Sequence, residues 1–130
     1  MAKPNLCNSV TQSRYGARWD QFYRGFDQDG KALPLWDVSA QLAAAQDYSL
    51  FKEQFVPSLP LIDVGCGTGR QTAFLAEKFQ RVIGLDVSAR ALEIAREAYD
   101  HPGLAFTLLS DSAAQFRQLH RELGDCNIYI

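Results

Sequence analysis

Hydrophobic positions follow two alternating patterns along the second half of the chain. Short runs of apolar and β-branched residues have strand length at 61–64, 82–85, 104–109 and 125–130. Between them, three longer segments place apolar residues on one helical face, at 70–79, 89–99 and 112–123. Strands that alternate with helices form parallel sheets through right-handed crossovers. We therefore predict an α/β fold with helices on both faces of a parallel sheet in strand order 3-2-1-4.

The first half of the chain predicts helices instead. Five aromatic residues recur at helical spacing, at Tyr15, Trp19, Phe22, Tyr23 and Phe26. A second helix is predicted over 38–55, ending before Pro57. We interpret residues 1–57 as a helical cap and residues 58–130 as the α/β domain. The aromatic face either packs into the core or forms a lid whose rings, Tyr15, Trp19 and Tyr23, face a bound cation.

Three glycines, Gly65, Gly67 and Gly69, follow the first predicted strand. Glycine tolerates tight turns and lets a ligand approach bare backbone. The spacing differs from the dinucleotide pattern Gly-x-Gly-x-x-Gly because Arg70 occupies the last position, and the lysine of a phosphate-binding P-loop is missing. Asp63, just before the turn, would repel a pyrophosphate. It suits a ligand with an ammonium group next to a carboxylate, such as the methionyl part of S-adenosylmethionine.

The segment 63–69, Asp-Val-Gly-Cys-Gly-Thr-Gly, closely resembles motif I of the class I S-adenosylmethionine-dependent methyltransferases. The resemblance continues through 82–88 and covers roughly residues 59–111. It implies a Rossmann-like fold, S-adenosylmethionine as cofactor and methyl transfer to an acceptor. It also implies that the loop contacts the cofactor through Gly65, Cys66, Gly67, Thr68 and Gly69.

Two acidic residues come directly after predicted strands. Asp86 should lie at the carboxyl edge of the sheet, where parallel sheets bind ligands. The resemblance implies that its carboxylate accepts hydrogen bonds from both ribose hydroxyls, with Val87 as a neighbouring contact. The alternative for Asp86 is a helix cap, although Ser88 is the better cap. Asp111 is implied to accept a hydrogen bond from the adenine amino group; alternatively it favours a helix start by its charge.

Composition narrows the choice of partners. The chain has 130 residues, 47% of them hydrophobic, and a formal net charge of −2, as in one ordinary soluble domain. Without a basic patch, nucleic acid is disfavoured, and a small-molecule acceptor is expected. No segment is long enough to span a bilayer. Cys7, Cys66 and Cys126 lack metal-type spacing, so we expect no metal, free thiols and a cytoplasmic location.

The family that the chain resembles has seven strands, whereas four are predicted here. The strands that would supply acceptor-binding residues lie outside the sequence, so we nominate no catalytic residue. We expect a fragment, a truncated reading frame, or a sheet edge completed by a missing C-terminal half or a homo-oligomer. Two other functions stay open. One is a cofactor-binding module that transfers nothing, and the other is an NAD-dependent oxidoreductase, which Asp63 and Arg70 disfavour.

Overall fold

The structure, a computed structural model, describes residues 12–29, 44–110 and 113–130. The elements in chain order are α1 (Arg14–Asp29), α2 (Ala44–Phe51), a 3-10 turn (Lys52–Gln54), β1 (Leu61–Val64), α3 (Arg70–Ala76), β2 (Val82–Asp86), α4 (Ala89–Ala98), β3 (Leu104–Leu108), α5 (Ala113–Leu123) and β4 (Asn127–Tyr129). The predicted alternation of strands and helices is therefore confirmed.

The strands form one parallel sheet in the order β3-β2-β1-β4, as predicted. Val64 at the end of β1 lies opposite Leu85, so Asp86 extends β2 by one residue beyond that pair. Because all strands run in the same direction, their carboxyl ends share one edge of the sheet. The loops that follow β1 and β2 therefore start side by side.

Apolar side chains cover both faces of the sheet. Consecutive strand residues point to opposite faces, so Leu61 and Ile62 enter different clusters. The first cluster includes Leu75 from α3 and Leu92 from α4, and the second includes Leu119 from α5. The expected helices on both faces of the sheet are confirmed, since α3 and α4 cover one face and α5 covers the other.

Some predicted element ends differ from the structure. The helix predicted over 38–55 is observed as α2 followed by the 3-10 turn, and residues 38–43 lie outside the described residues. Helix α3 ends at Ala76 rather than residue 79, because the amides of Glu77 and Lys78 donate to Phe74 and Leu75 in tighter turns. The division between residues 57 and 58 stays a prediction. Across the parts of the chain that the structure describes, no helix has both the length and the apolar character needed to cross a membrane.

Candidate cofactor site

The loop between β1 and α3 follows a backbone path that glycine adopts most readily. Gly65, Gly67 and Gly69 have φ angles of 80°, 55° and 84°, in the left-handed region. A Cβ on Gly69 would lie 2.7 Å from the ring of Phe106, whereas a Cβ on Gly65 would meet nothing within 4 Å. A side chain at position 69 would therefore displace Phe106, which packs against Gly69. At Gly65 the backbone is uncovered, and a ligand can approach it.

Asp86 connects this glycine loop to the loop that follows β2. Its buried carboxylate accepts hydrogen bonds from the backbone amides of Gly67, at 2.8 Å, and Ser88, at 2.9 Å. Burial raises the pKa of Asp86, and these hydrogen bonds partly oppose the increase. The Ser88 hydroxyl accepts from the amide of Ala91 and caps α4, as expected. Asp86 therefore joins the two loops at the carboxyl ends of β1 and β2, and Ser88, not Asp86, caps α4.

Asp63 lies beneath the glycine loop rather than on its open side. It is 3% exposed, and its carboxylate accepts a hydrogen bond from the Thr72 hydroxyl at 2.7 Å. Burial raises the pKa of Asp63 to about 6; the Thr72 hydrogen bond lowers it, and the charge of Asp86 raises it. The role of Thr72 is not apparent from the sequence, because its position on the apolar face of α3 gives no sign of a polar partner.

Helix α1 crosses the two loops at the carboxyl edge of the sheet. The Tyr23 hydroxyl lies 3.1 Å from the position that a Cβ of Gly67 would occupy, and Tyr23 is 5% exposed. Trp19 is half-buried with its ring centroid 6.2 Å from that of Tyr23, whereas Tyr15 is 59% exposed. Tyr23, one of the three aromatic residues singled out in the sequence, is thus placed against the glycine loop.

A second connection between α1 and the site involves Asp20, which is also not apparent from the sequence. Its carboxylate accepts hydrogen bonds from the Ser88 hydroxyl at 2.6 Å and the Arg90 amide at 3.0 Å. Burial raises the pKa of Asp20, but hydrogen bonds from Arg90, Ser88 and Gln12 outweigh that effect and hold it below its usual value. No local signal marks Asp20, because its partners on the α4 side, Ser88 and Arg90, lie about 70 positions along the sequence.

The other nominated residues have mixed outcomes. Asp111 lies outside the described residues, so its expected adenine contact stays a prediction. Cys66 is buried within the glycine loop; burial raises the pKa of its thiol, and the charges of Asp63 and Asp86 raise it further. Thr68 is half-buried in the same loop. Within the described ranges, no group of three or more His, Cys, Asp or Glu side chains could hold a metal ion.

Comparison with known proteins gives the class of the chain. A family described as "Methyltransferase domain" matches residues 61–126, from β1 to the turn before β4. The chain belongs to this methyltransferase domain family, and the resemblance found in the sequence is confirmed. The matched residues include the glycine loop and Asp86, on which that resemblance depended.

Individual relatives match this chain over part of their own length. N-demethylindolmycin N-methyltransferase of Streptomyces griseus is 35% identical over 96 residues, covering 73% of this chain and 40% of the relative. Trans-aconitate 2-methyltransferase of Deinococcus radiodurans is 44% identical over 89 residues, covering 67% of this chain and 29% of the relative. The chain thus spans less than half the length of these curated relatives.

A solved structure extends the similarity to the N-terminal helices. A SAM-dependent methyltransferase from Anabaena variabilis has a TM-score of 0.81 and 37% sequence identity, covering 96% of this chain and 52% of that one. The Rossmann-like methyltransferase fold is confirmed, and four strands make up part of it. S-adenosylmethionine is the cofactor that membership of this family indicates, and the glycine loop fits it: Gly65 has exposed backbone, and two residues later the amide of Gly67 donates to the Asp86 carboxylate at the adjoining strand end.

Proposed function

We propose that this chain is the cofactor-binding part of an S-adenosylmethionine-dependent methyltransferase that acts on a small-molecule acceptor. One observation carries the proposal. A left-handed glycine loop after β1 is held by the carboxylate of Asp86 at the end of β2, through the hydrogen bond from Gly67. This arrangement puts bare backbone and a carboxylate at the edge where parallel sheets bind their ligands.

In the proposed arrangement, the cofactor contacts both the loop after β1 and the loop after β2. The backbone of residues 65–69, including Cys66 and Thr68, would lie along the methionyl part. The Asp86 carboxylate would accept from the ribose hydroxyls, since its two oxygens together offer about four acceptor sites and the amides of Gly67, Val87 and Ser88 do not occupy all of them. Val87 would lie beside the adenosine, and Asp111 would accept from the adenine amino group.

Asp63 is proposed to act on the cofactor through its charge and not by direct contact. Its burial under the loop and its bond to Thr72 support an electrostatic effect, in which the carboxylate favours the ammonium end of the cofactor from below. From above, α1 would cover the donor with its aromatic face, including Trp19, Tyr23 and, on the exposed side, Tyr15.

S-adenosylmethionine supplies a methyl group on a positively charged sulfur, which is already activated for transfer. The protein therefore has to align donor and acceptor and exclude water from the site. The glycine loop and Asp86 provide the alignment of the donor, and the packing of Tyr23 over Gly67 restricts access of water. We nominate no general base among the described residues.

The acceptor is proposed as a class. The relatives' names state small-molecule acceptors, such as N-demethylindolmycin and trans-aconitate, and the net charge of −2 disfavours non-specific nucleic-acid binding. A cytoplasmic location is part of the proposal. On the outer strand β4, Ile128 is 51% exposed, which supports coverage of that edge by further strands of the fold or by a second copy of the chain.

Calorimetric titration with S-adenosylmethionine, S-adenosylhomocysteine and NAD tests the cofactor assignment. We expect S-adenosylmethionine and S-adenosylhomocysteine to bind, and Asp86→Ala to weaken binding of both. The control Asp125→Ala removes an exposed carboxylate next to the start of β4, at the amino-terminal ends of the strands, and should leave binding unchanged. Binding of NAD in their place would overturn the proposal. Turnover with a panel of small acceptors then separates an enzyme from a chain that binds cofactor without transferring its methyl group.

A further inference from the structure

Asp20 joins α1 to the first turn of α4. Its carboxylate is 8% exposed and accepts hydrogen bonds from three groups: the Ser88 hydroxyl at 2.6 Å, the Gln12 side-chain amide at 2.7 Å and the Arg90 backbone amide at 3.0 Å. The unpaired amides and the dipole of a helix N-terminus favour a negative charge at this point. Helix α1 is thus bound to α4 by a buried acid that accepts three hydrogen bonds.

The contact continues directly into the cofactor site. The amide of Ser88, whose hydroxyl donates to Asp20, itself donates to the Asp86 carboxylate at 2.9 Å. Gln12, which donates to Asp20, also donates to the carbonyl of Val87 at 3.2 Å. The β2–α4 connection, taken with the last residue of β2 as residues 86–88, is therefore held on one side by the sheet and on the other by α1.

Gly16 shows how closely the helix approaches this connection. A Cβ added at Gly16 would collide with the carbonyl oxygen of Val87, so the backbone of α1 rests against the backbone of the β2–α4 connection. A mere cap on α4 would not require such an approach. The acid and the glycine, one helical turn apart, together fix the docked position of α1.

We propose that Asp20 is a positioning residue for cofactor binding, an inference that rests on the proposed function. It docks α1 on the β2–α4 connection, so that residues 86–88 are in place for the adenosine part and Tyr23 covers the glycine loop. If Asp20 is removed, the competent arrangement is less populated, and the apparent affinity falls in proportion. Asp20 touches neither the donor nor the acceptor in this proposal.

The test compares four variants of the full chain with the wild type. Asp20→Ala removes the acceptor, whereas Asp20→Asn keeps an acceptor oxygen for Ser88 and Arg90. Gly16→Ala blocks the docking of α1, and Gly25→Ala is its matched control on the same helix, because a Cβ there meets nothing within 4 Å. The dissociation constant for S-adenosylhomocysteine is measured by calorimetry, well below the thermal midpoint of each variant.

We expect Asp20→Ala and Gly16→Ala to weaken binding on the order of tenfold, corresponding to about one tenth of the molecules in the docked arrangement. Asp20→Asn should recover most of the affinity, and Gly25→Ala should bind like the wild type. In the cofactor-free chain, amide hydrogen exchange at Arg90 should accelerate in Asp20→Ala and Gly16→Ala, and stay unchanged in Gly25→Ala.

The outcomes separate this inference from the proposed function. A purely structural role for Asp20 would lower the thermal midpoint of Asp20→Ala and leave the dissociation constant unchanged, which would overturn the inference. Equal affinities of Gly16→Ala and Gly25→Ala would also overturn it. A wild-type chain that binds neither S-adenosylmethionine nor S-adenosylhomocysteine would contradict the proposed function itself, and the inference with it.

Discussion

The hydroxyl of Thr72 donates to the carboxylate of Asp63 at 2.7 Å, and both side chains are buried beneath the glycine loop. An unpaired carboxylate at this depth would be costly, because burial removes it from water. Thr72 reduces that cost and fixes the carboxylate below the backbone that is proposed to hold the methionyl part of the cofactor. Thr72 thus keeps the carboxylate where it is proposed to act on the ligand through its charge, without touching it.

The raised pKa of Asp63 predicts a specific dependence of stability on pH. Because its pKa is about 6 in the folded chain and 3.8 without burial, the folded state binds this proton more tightly than the unfolded state. Its contribution to the free energy of unfolding is therefore largest below about pH 4. It decreases as the pH rises to about 6, by a total on the order of 3 kcal/mol.

Asp63→Asn removes this titration and keeps an acceptor for Thr72. Relative to the wild type, the variant should become more stable by about 2 kcal/mol as the pH rises from 4.5 to 7, because about 1 kcal/mol of the total change has already occurred at pH 4.5. Urea unfolding at several pH values measures the difference. Asp125→Asn, which changes an exposed acid, serves as control. Parallel stability curves for Asp63→Asn and the wild type would contradict the assigned pKa.

Thr72→Val tests the hydrogen bond from the donor side. The substitution keeps the shape of the side chain and removes the hydroxyl, which leaves the Asp63 carboxylate buried without this donor. We expect a loss of about 1–3 kcal/mol in the free energy of unfolding. The loss should be larger at pH 8, where Asp63 is charged, than at pH 4.5. Thr72→Ser retains the donor, so its loss should show little change with pH, and equal pH dependence in both variants would refute the role of the hydroxyl.

The hydrogen bonds of the Asn127 side chain predict an effect on stability that is separate from cofactor binding. Its side chain accepts from the Val56 amide at 2.8 Å and donates to the carbonyls of Val56, at 2.9 Å, and Leu59, at 3.2 Å. Asn127→Ala should therefore cost about 1–3 kcal/mol in urea unfolding, because these backbone groups lose their partner. The affinity of the folded variant for S-adenosylhomocysteine should be unchanged, since Asn127 begins β4 at the edge of the sheet away from the glycine loop. A parallel loss of affinity would argue against this separation.

Local patterns in the sequence were sufficient to predict the sheet, the glycine loop and the cap at Ser88. Apolar runs of strand length locate the strands, and the rule for right-handed crossovers limits the parallel orders that they can adopt; glycine spacing marks a turn without tertiary information. The contact of Asp20 with Ser88 joins residues 68 positions apart and depends on how α1 docks. A helical pattern indicates which face is buried but not which partner that face meets, so this contact could not be predicted.

Gly65 and Gly124 form a matched pair for testing the glycine loop. Both have left-handed backbone, with φ angles of 80° and 72°, and a Cβ at either position would meet nothing within 4 Å. Replacement by alanine should therefore cost each variant a similar loss of stability, about 1–2 kcal/mol of backbone strain. Gly65 lies in the proposed cofactor site at the carboxyl ends of the strands, whereas Gly124 lies between α5 and the start of β4, at the amino-terminal ends of the strands.

The two alanine variants should differ in ligand binding and agree in stability. We expect Gly65→Ala to weaken binding of S-adenosylhomocysteine by about tenfold or more, because the added methyl group occupies space next to the backbone that the ligand would approach. Gly124→Ala should bind like the wild type. Urea unfolding and calorimetry on the same preparations provide both values. If the two variants lost affinity equally, strain alone would explain the effect, and the cofactor would have to lie elsewhere than over Gly65.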